Sequence, residues 1–192
     1  MHRVGRVLSG VMAVAIAASL AMPASATTLR RMGLEELVAA NRTVVVGQVV
    51  DARSYWNKEK TFILTDVRIA VNDVLKGKLQ DQEITVTVMG GRVGDLTTLI
   101  VGGPELLPGK SYLLFLNVED LPGKRAQTVR DLCQGAFDLV IGEDGLRAVS
   151  QANRHPLIPD HLGYIDAPGG VEGIPFNAMI QSIRGLVRGE VN

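Results

Sequence analysis

Between Thr43 and Val149 the chain returns repeatedly to one pattern: short runs of alternating apolar and polar residues, each cut off by glycine, proline or an Asp-Gly pair. A period of two sends successive side chains to opposite faces of an extended strand, so this repetition restricts the chain to a fold built on β-sheet. In DVRIAVNDVLKGK, Val67, Ile69 and Val71 take one face and Asp66, Arg68 and Asn72 the other, and Lys76-Gly77 ends the run. EITVTVM repeats the alternation, with Ile84, Val86 and Val88 predicted inward and Thr85 and Thr87 outward towards solvent. TVVVGQVVDA is rich in β-branched residues, and Gly47 inside it predicts a bulge or sharp bend. SYLLFLNV, 111 to 118, is apolar almost throughout, as a central strand buried on both faces requires. GAFDLVIGEDGLRAV predicts a hairpin of Phe137 to Ile141 and Leu146 to Val149 turning at Asp144-Gly145.

Two helices flank these strands. In GLEELVAANR, 33 to 42, Leu34, Leu37 and Val38 share one helical face, and Glu35 and Glu36 sit near the positive end of the dipole. At the other end, Phe176, Met179, Ile180, Ile183 and Val187 recur at helical spacing, which predicts a helix from about 176 to 188 capped by Gly189. Before it, RHPLIPDHLGYIDAPGGVEGIP carries proline or glycine too often to sustain a ladder and is expected to be a long surface loop.

The stretch GGPELLPGKS, 102 to 111, ends in the Gly-Lys-Ser of a nucleotide-binding P-loop. A P-loop needs four residues between its glycines, with backbone N–H groups aimed at phosphate and a helix to follow. Here Pro104 stands where the first glycine is needed and has no N–H to give, and an apolar run of strand formers follows Ser111. The segment is therefore a Leu-Pro-Gly-Lys turn of type II feeding a strand, and the same LPGK recurs at 121 to 124.

Arg3 and Arg6, an apolar stretch from about Val7 to Met22, and Ala24-Ser25-Ala26 have the three parts of a secretory signal peptide, with cleavage expected after Ala26. The apolar stretch is shorter than the ~20 residues that span a bilayer. The expected organisation is a signal peptide at 1–26, a β-barrel domain at 27–150, and a Pro/Gly-rich loop with a C-terminal helix packing on the barrel at 151–192. The expected location is periplasmic or extracellular, with no membrane span after cleavage. The whole chain has 20 Lys and Arg against 20 Asp and Glu, and loss of Arg3 and Arg6 leaves a formal charge of −2. That balance gives no electrostatic footprint for nucleic acid. Cys133 is the one cysteine, so no internal disulfide forms, and it reads as a small apolar residue at the edge of the core.

The order of these elements resembles a mainly β, five-stranded OB-like barrel with a short N-terminal helix and a C-terminal amphipathic helix. The succession VVVGQVV, TDVRIAVNDVLKGK, ITVTV and GKSYLLFL resembles the netrin-like domain of tissue inhibitors of metalloproteinases. It is also similar to a family of uncharacterised bacterial secreted proteins with the same succession, including the QGAF that begins at Gln134. The resemblance covers about residues 34 to 141. It implies a protein-binding role with a secreted or envelope protein as partner, a metalloprotease among the candidates. Those inhibitors chelate the protease zinc through an N-terminal cysteine, whereas cleavage here exposes Thr27, so no inhibitory residue carries over.

Candidate chemistry is sparse, and no cofactor is implied. His155 and His161 lie in the Pro-rich loop near Asp160 and Asp166, but six residues apart with prolines between, they match no regular geometry for shared metal ligation. They are weak metal candidates and the basis of an alternative reading as a metal-dependent envelope hydrolase. A third reading makes the C-terminal helix a docking element in an envelope assembly. Asp66, Asp73, Glu83 and Asp95 supply carboxylates without a pattern that pairs them for acid–base work. Tyr55 and Trp56, adjacent aromatics in the polar segment SYWNKEK, suit a binding edge. With Arg92 and Asp95 of the Gly90 to Asp95 hairpin they form the expected partner-binding surface of a non-catalytic binding module.

Overall fold

The computed structural model describes residues 31–153 and 172–189. The chain opens with helix α1 (Leu34–Ala40), whose Leu37 and Val38 are buried. Strands β1 (Thr43–Trp56), β2 (Ile63–Lys76) and β3 (Glu83–Met89) follow as an antiparallel meander. A small hairpin of β4 (Gly91–Val93) and β5 (Leu96–Thr98) forms a separate two-stranded sheet. Next come β6 (Ser111–Leu121), β7 (Lys124–Val129), β8 (Ala136–Gly142), β9 (Gly145–Ser150), a 3-10 turn at Gln151–Asn153, β10 (Ile174–Pro175) and helix α2 (Phe176–Arg188).

The main sheet has eight strands in the order β10-β9-β8-β6-β1-β2-β3, with β7 also paired to β6. β6 is its hinge. Ser111 to Leu116 pair with β1, Tyr112 to Leu114 pair with β8, and Leu116 to Leu121 pair with β7. Tyr112 to Leu116 are accordingly buried on both faces: Leu113 and Phe115 join the cluster that receives Leu37, Val38, Met179 and Ile183 from the helices. Tyr112, Leu114 and Leu116 join Val45, Val49, Val67, Ile69 and Val86 in the second cluster. The Phe115 and Phe137 rings meet at 5.8 Å and 55°.

The expected five-stranded closed barrel is corrected here: the protein is mainly β, but its described residues contain ten strands and the sheet is open. Closure needs the edges of the sheet to join in a continuous ladder. β7 packs near β3 yet shares no ladder with it, while β8, β9 and β10 extend the sheet on the other side. The flat succession of turn signals did not reveal that β6 would divide one edge between β7 and β8.

Three local expectations hold and a fourth shifts by one residue. The bulge expected at Gly47 is present as a register shift between Val46 and Gly47. A Cβ there would lie 2.6 Å from Ile69 Cγ2 and 2.7 Å from the Ala70 carbonyl oxygen, so only glycine allows β1 and β2 to approach this closely. The Leu-Pro-Gly-Lys turn closes with Lys110 N–H donating to the Leu107 carbonyl at 3.2 Å, with Gly109 at φ +82, and it feeds β6 as expected. The last hairpin turns one residue earlier than expected, through Glu143-Asp144, because Gly145 already pairs with Gly142. α2 spans the residues that its periodicity predicts, and Gly189, at φ 72, donates its N–H to the Gly185 and Leu186 carbonyls.

Candidate functional site

β1 and β2 run beyond the part of β1 that pairs with β6, β3 accompanies β2 as far as Leu64, and the β1–β2 connection is a tight turn organised by Asn57. The Asn57 side-chain oxygen accepts from the Thr61 and Phe62 N–H groups at 2.8 and 3.0 Å. The β6–β7 turn, Pro122-Gly123, comes up against this connection. It does so closely enough that a Cβ on Gly123, itself at φ +79, would meet Glu59 Oε2 at 2.5 Å. Between the two turns opens a groove of about 520 Å³, lined among others by Arg53, Tyr55, Lys58, Leu64, Asp66 and Lys124.

Strand register assembles the groove. Arg53 pairs with Asp66, Tyr55 with Leu64, and Asp66 with Thr87, so these side chains share one face of β1, β2 and β3. Three donors converge on Asp66 Oδ1: the Thr87 hydroxyl at 2.6 Å, the Tyr55 hydroxyl at 3.0 Å and the Lys124 ammonium at 3.2 Å. Lys124 also donates to the Tyr55 oxygen at 2.9 Å, and its Nζ stands 5.5 Å from the centre of the Tyr55 ring. Thr87 was expected to meet solvent but is 1% exposed, because Asp66 and its partners cover it. Lys124 and Asp66 keep 35% and 33% of their side-chain surfaces exposed. Partial burial works against the Lys124 ammonium, but hydrogen bonds to Tyr55 and Asp66 outweigh it and the pKa is raised. A lysine attacks carbonyl carbon only as the free amine. Lys124 is held as the cation and offers a fixed charge with N–H donors.

The expected surface is divided by this geometry. Successive side chains of a strand face opposite ways, so Tyr55 lines the groove while Ser54 and Trp56 take the other face. The Arg92 N–H donates to Ser54 Oγ at 3.3 Å, and a Cβ on Gly91 would fall 2.4 Å from that oxygen, which seats the β4–β5 hairpin on the Trp56 side. Arg92 and Asp95 are both exposed there, with the Arg92 Nε donating to the Gly94 carbonyl. All four residues thus lie at the same end of β1, Tyr55 on one face and the other three on the opposite one. Of the carboxylates, Asp73 pairs with Arg184 at 2.8 Å and Glu83 with Arg68 at 2.9 Å, both far from Asp66 in register. His155 and His161 lie outside the described residues, as does the expected signal peptide. No group of three metal-ligating side chains occurs among the described residues.

Asp66, Thr87 and Lys124 are the members that sequence reasoning missed. The signal for Lys124 was the second LPGK, which puts it at a hairpin tip. Nothing local says that this tip folds against the β1–β2 connection. No helix of the described residues is long and apolar enough to cross a membrane. The chain matches no family model and no curated protein, so the site is read from its own geometry.

Proposed function

We propose that the protein is an exported binding module, and that its partner, another secreted or envelope protein, docks on the end of the sheet formed by the β1–β2 and β6–β7 turns. The observation that carries this reading is the groove itself. Tyr55 is fixed in orientation by Asp66 and Lys124, so an aromatic side chain and a positive charge are presented with little freedom left to lose on binding. Trp56, Arg92 and Asp95 extend the surface around the strand end. The pre-set cation at Lys124 and the one-third exposure of its carboxylate partner favour recognition of a polar surface over chemistry at the lysine.

An inhibitor-like role toward a metalloprotease is the specific form of this proposal, drawn from the likeness of the strand succession to netrin-like domains. The test is capture of partners from the envelope and secreted fractions of the source organism with the full chain as bait, followed by assay of any captured protease. Partner capture that is lost with Tyr55→Ala plus Trp56→Ala, and retained by an Ile141→Ala control, supports the docking surface. Capture unchanged by the double substitution rejects it, and an unaffected protease rejects inhibition.

A further inference from the structure

Arg53 and Asp66 stand opposite each other in the β1–β2 ladder, a position in which opposite charges ordinarily pair. They do not pair here. Asp66 Oδ1 is claimed by Thr87, Tyr55 and Lys124, which draw the carboxylate away from its ladder partner. The Arg53 side chain is exposed and makes no hydrogen bond or ion pair among the described residues, and the same holds for the side chain of Lys58 at the start of the turn. Arg68, Arg130, Arg147 and Arg184 have carboxylate partners, while other exposed cations among the described residues, such as Arg42, Arg125 and Lys78, do not; Arg53 and Lys58 differ from these in lining a groove. Two cations without counter-ions therefore line the groove beside the Lys124 ammonium; Asp66 on its wall is already engaged, Asp51, two residues before Arg53, stands opposite Arg68 at 3.9 Å, and Glu59 lies at the Gly123 rim.

The geometry points to a carboxylate-bearing ligand, an acidic segment of the partner protein, as the occupant of this groove, with the Arg53 guanidinium as its principal anchor and Lys58 and Lys124 beside it. A guanidinium presents two parallel N–H donors that match the two oxygens of a carboxylate. The floor is apolar at Leu64 and Pro122, which suits the methylene stem of an acidic side chain. This inference rests on the docking surface proposed above and specifies the chemistry it recognises.

The test is fluorescence anisotropy of a labelled hexaglutamate peptide titrated with the full chain, in parallel with a hexaglutamine peptide and a sulfated oligosaccharide. Saturable binding of the glutamate peptide alone is expected, weakened by roughly tenfold or more in Arg53→Gln plus Lys58→Gln and by less than about twofold in Lys78→Gln, which removes a charge elsewhere. Circular dichroism checks that the exposed substitutions leave the fold intact. Absence of saturable binding, equal weakening in Lys78→Gln, or preference for the sulfated oligosaccharide overturns the inference. If partner capture depends on Tyr55 and Trp56 while no acidic peptide binds, the ligand class fails and the docking surface stands. If the peptide binds through Arg53 while capture ignores Tyr55 and Trp56, the docking surface fails instead.

Discussion

Cys133 illustrates how burial alone decides the chemistry of a side chain. It is fully buried, packed with Ala152, and burial pushes its thiol up to about 11 from an ordinary 9.0. The folded state therefore holds a proton that the unfolded chain gives up near pH 9. The stability linked to that proton is fully present below pH 9 and is lost as pH rises from 9 through 11, a contribution on the order of 2 to 3 kcal/mol. Lys124 has the same sign: its raised pKa makes its contacts with Tyr55 and Asp66 strongest below about 10.5 and weaker above it. Urea titrations from pH 8 to 11 should show stability falling with alkalinity, and Cys133→Ala should flatten the part between 9 and 11. Iodoacetamide at pH 8 should label Cys133 only in denaturant, and rapid labelling of the folded protein would contradict the burial argument. The small apolar role of Cys133 was legible from its being the single cysteine, with no partner for a disulfide. The Asp66 cluster was not, because Asp66 alternates outward like any solvated strand carboxylate and its partners come from β1, β3 and β7, up to 69 positions apart for Tyr55 and Lys124.

At the scale of elements, close approach of β1 and β2 depends on Gly47. With Ile69 Cγ2 at 2.6 Å and a backbone oxygen at 2.7 Å from the missing Cβ, one methyl group must push the strands apart. Gly47→Ala should destabilise the protein by about 1 to 3 kcal/mol in urea unfolding, and a neutral effect would mean that the bulge adjusts freely. This position was readable in advance, since glycine inside a β-branched run signals a bend or a near neighbour. α2 was equally readable: its apolar period, the left-handed Gly189 and the buried Met179, Ile180 and Ile183 all agree. β7 escaped notice because KRAQTV is mostly polar and alternates weakly. Its place is set by pairing to the far half of β6 and by the Pro122-Gly123 turn. Turn chemistry therefore announced where the chain reverses, while the choice of neighbour for each strand depended on contacts distant in sequence.

For the whole molecule, that choice of neighbour separates an open ten-stranded arrangement from the expected five-stranded barrel, and it also creates the groove. β1 and β2 continue past their pairing with β6, and the β6–β7 hairpin folds against their connection, so residues from three parts of the chain meet at one end. The opposite flank holds another open concavity, of about 560 Å³, where Ile141 is 90% exposed beside Leu146. These two ends give the account of binding its sharpest contrast. The measurement that tests it most directly is hydrogen–deuterium exchange of the full chain with and without its captured partner. Partner-dependent protection is expected in residues 53–58 and 122–124, with residues 141–146 unchanged. Protection confined to 141–146, with the groove exchanging as in the free protein, would contradict it.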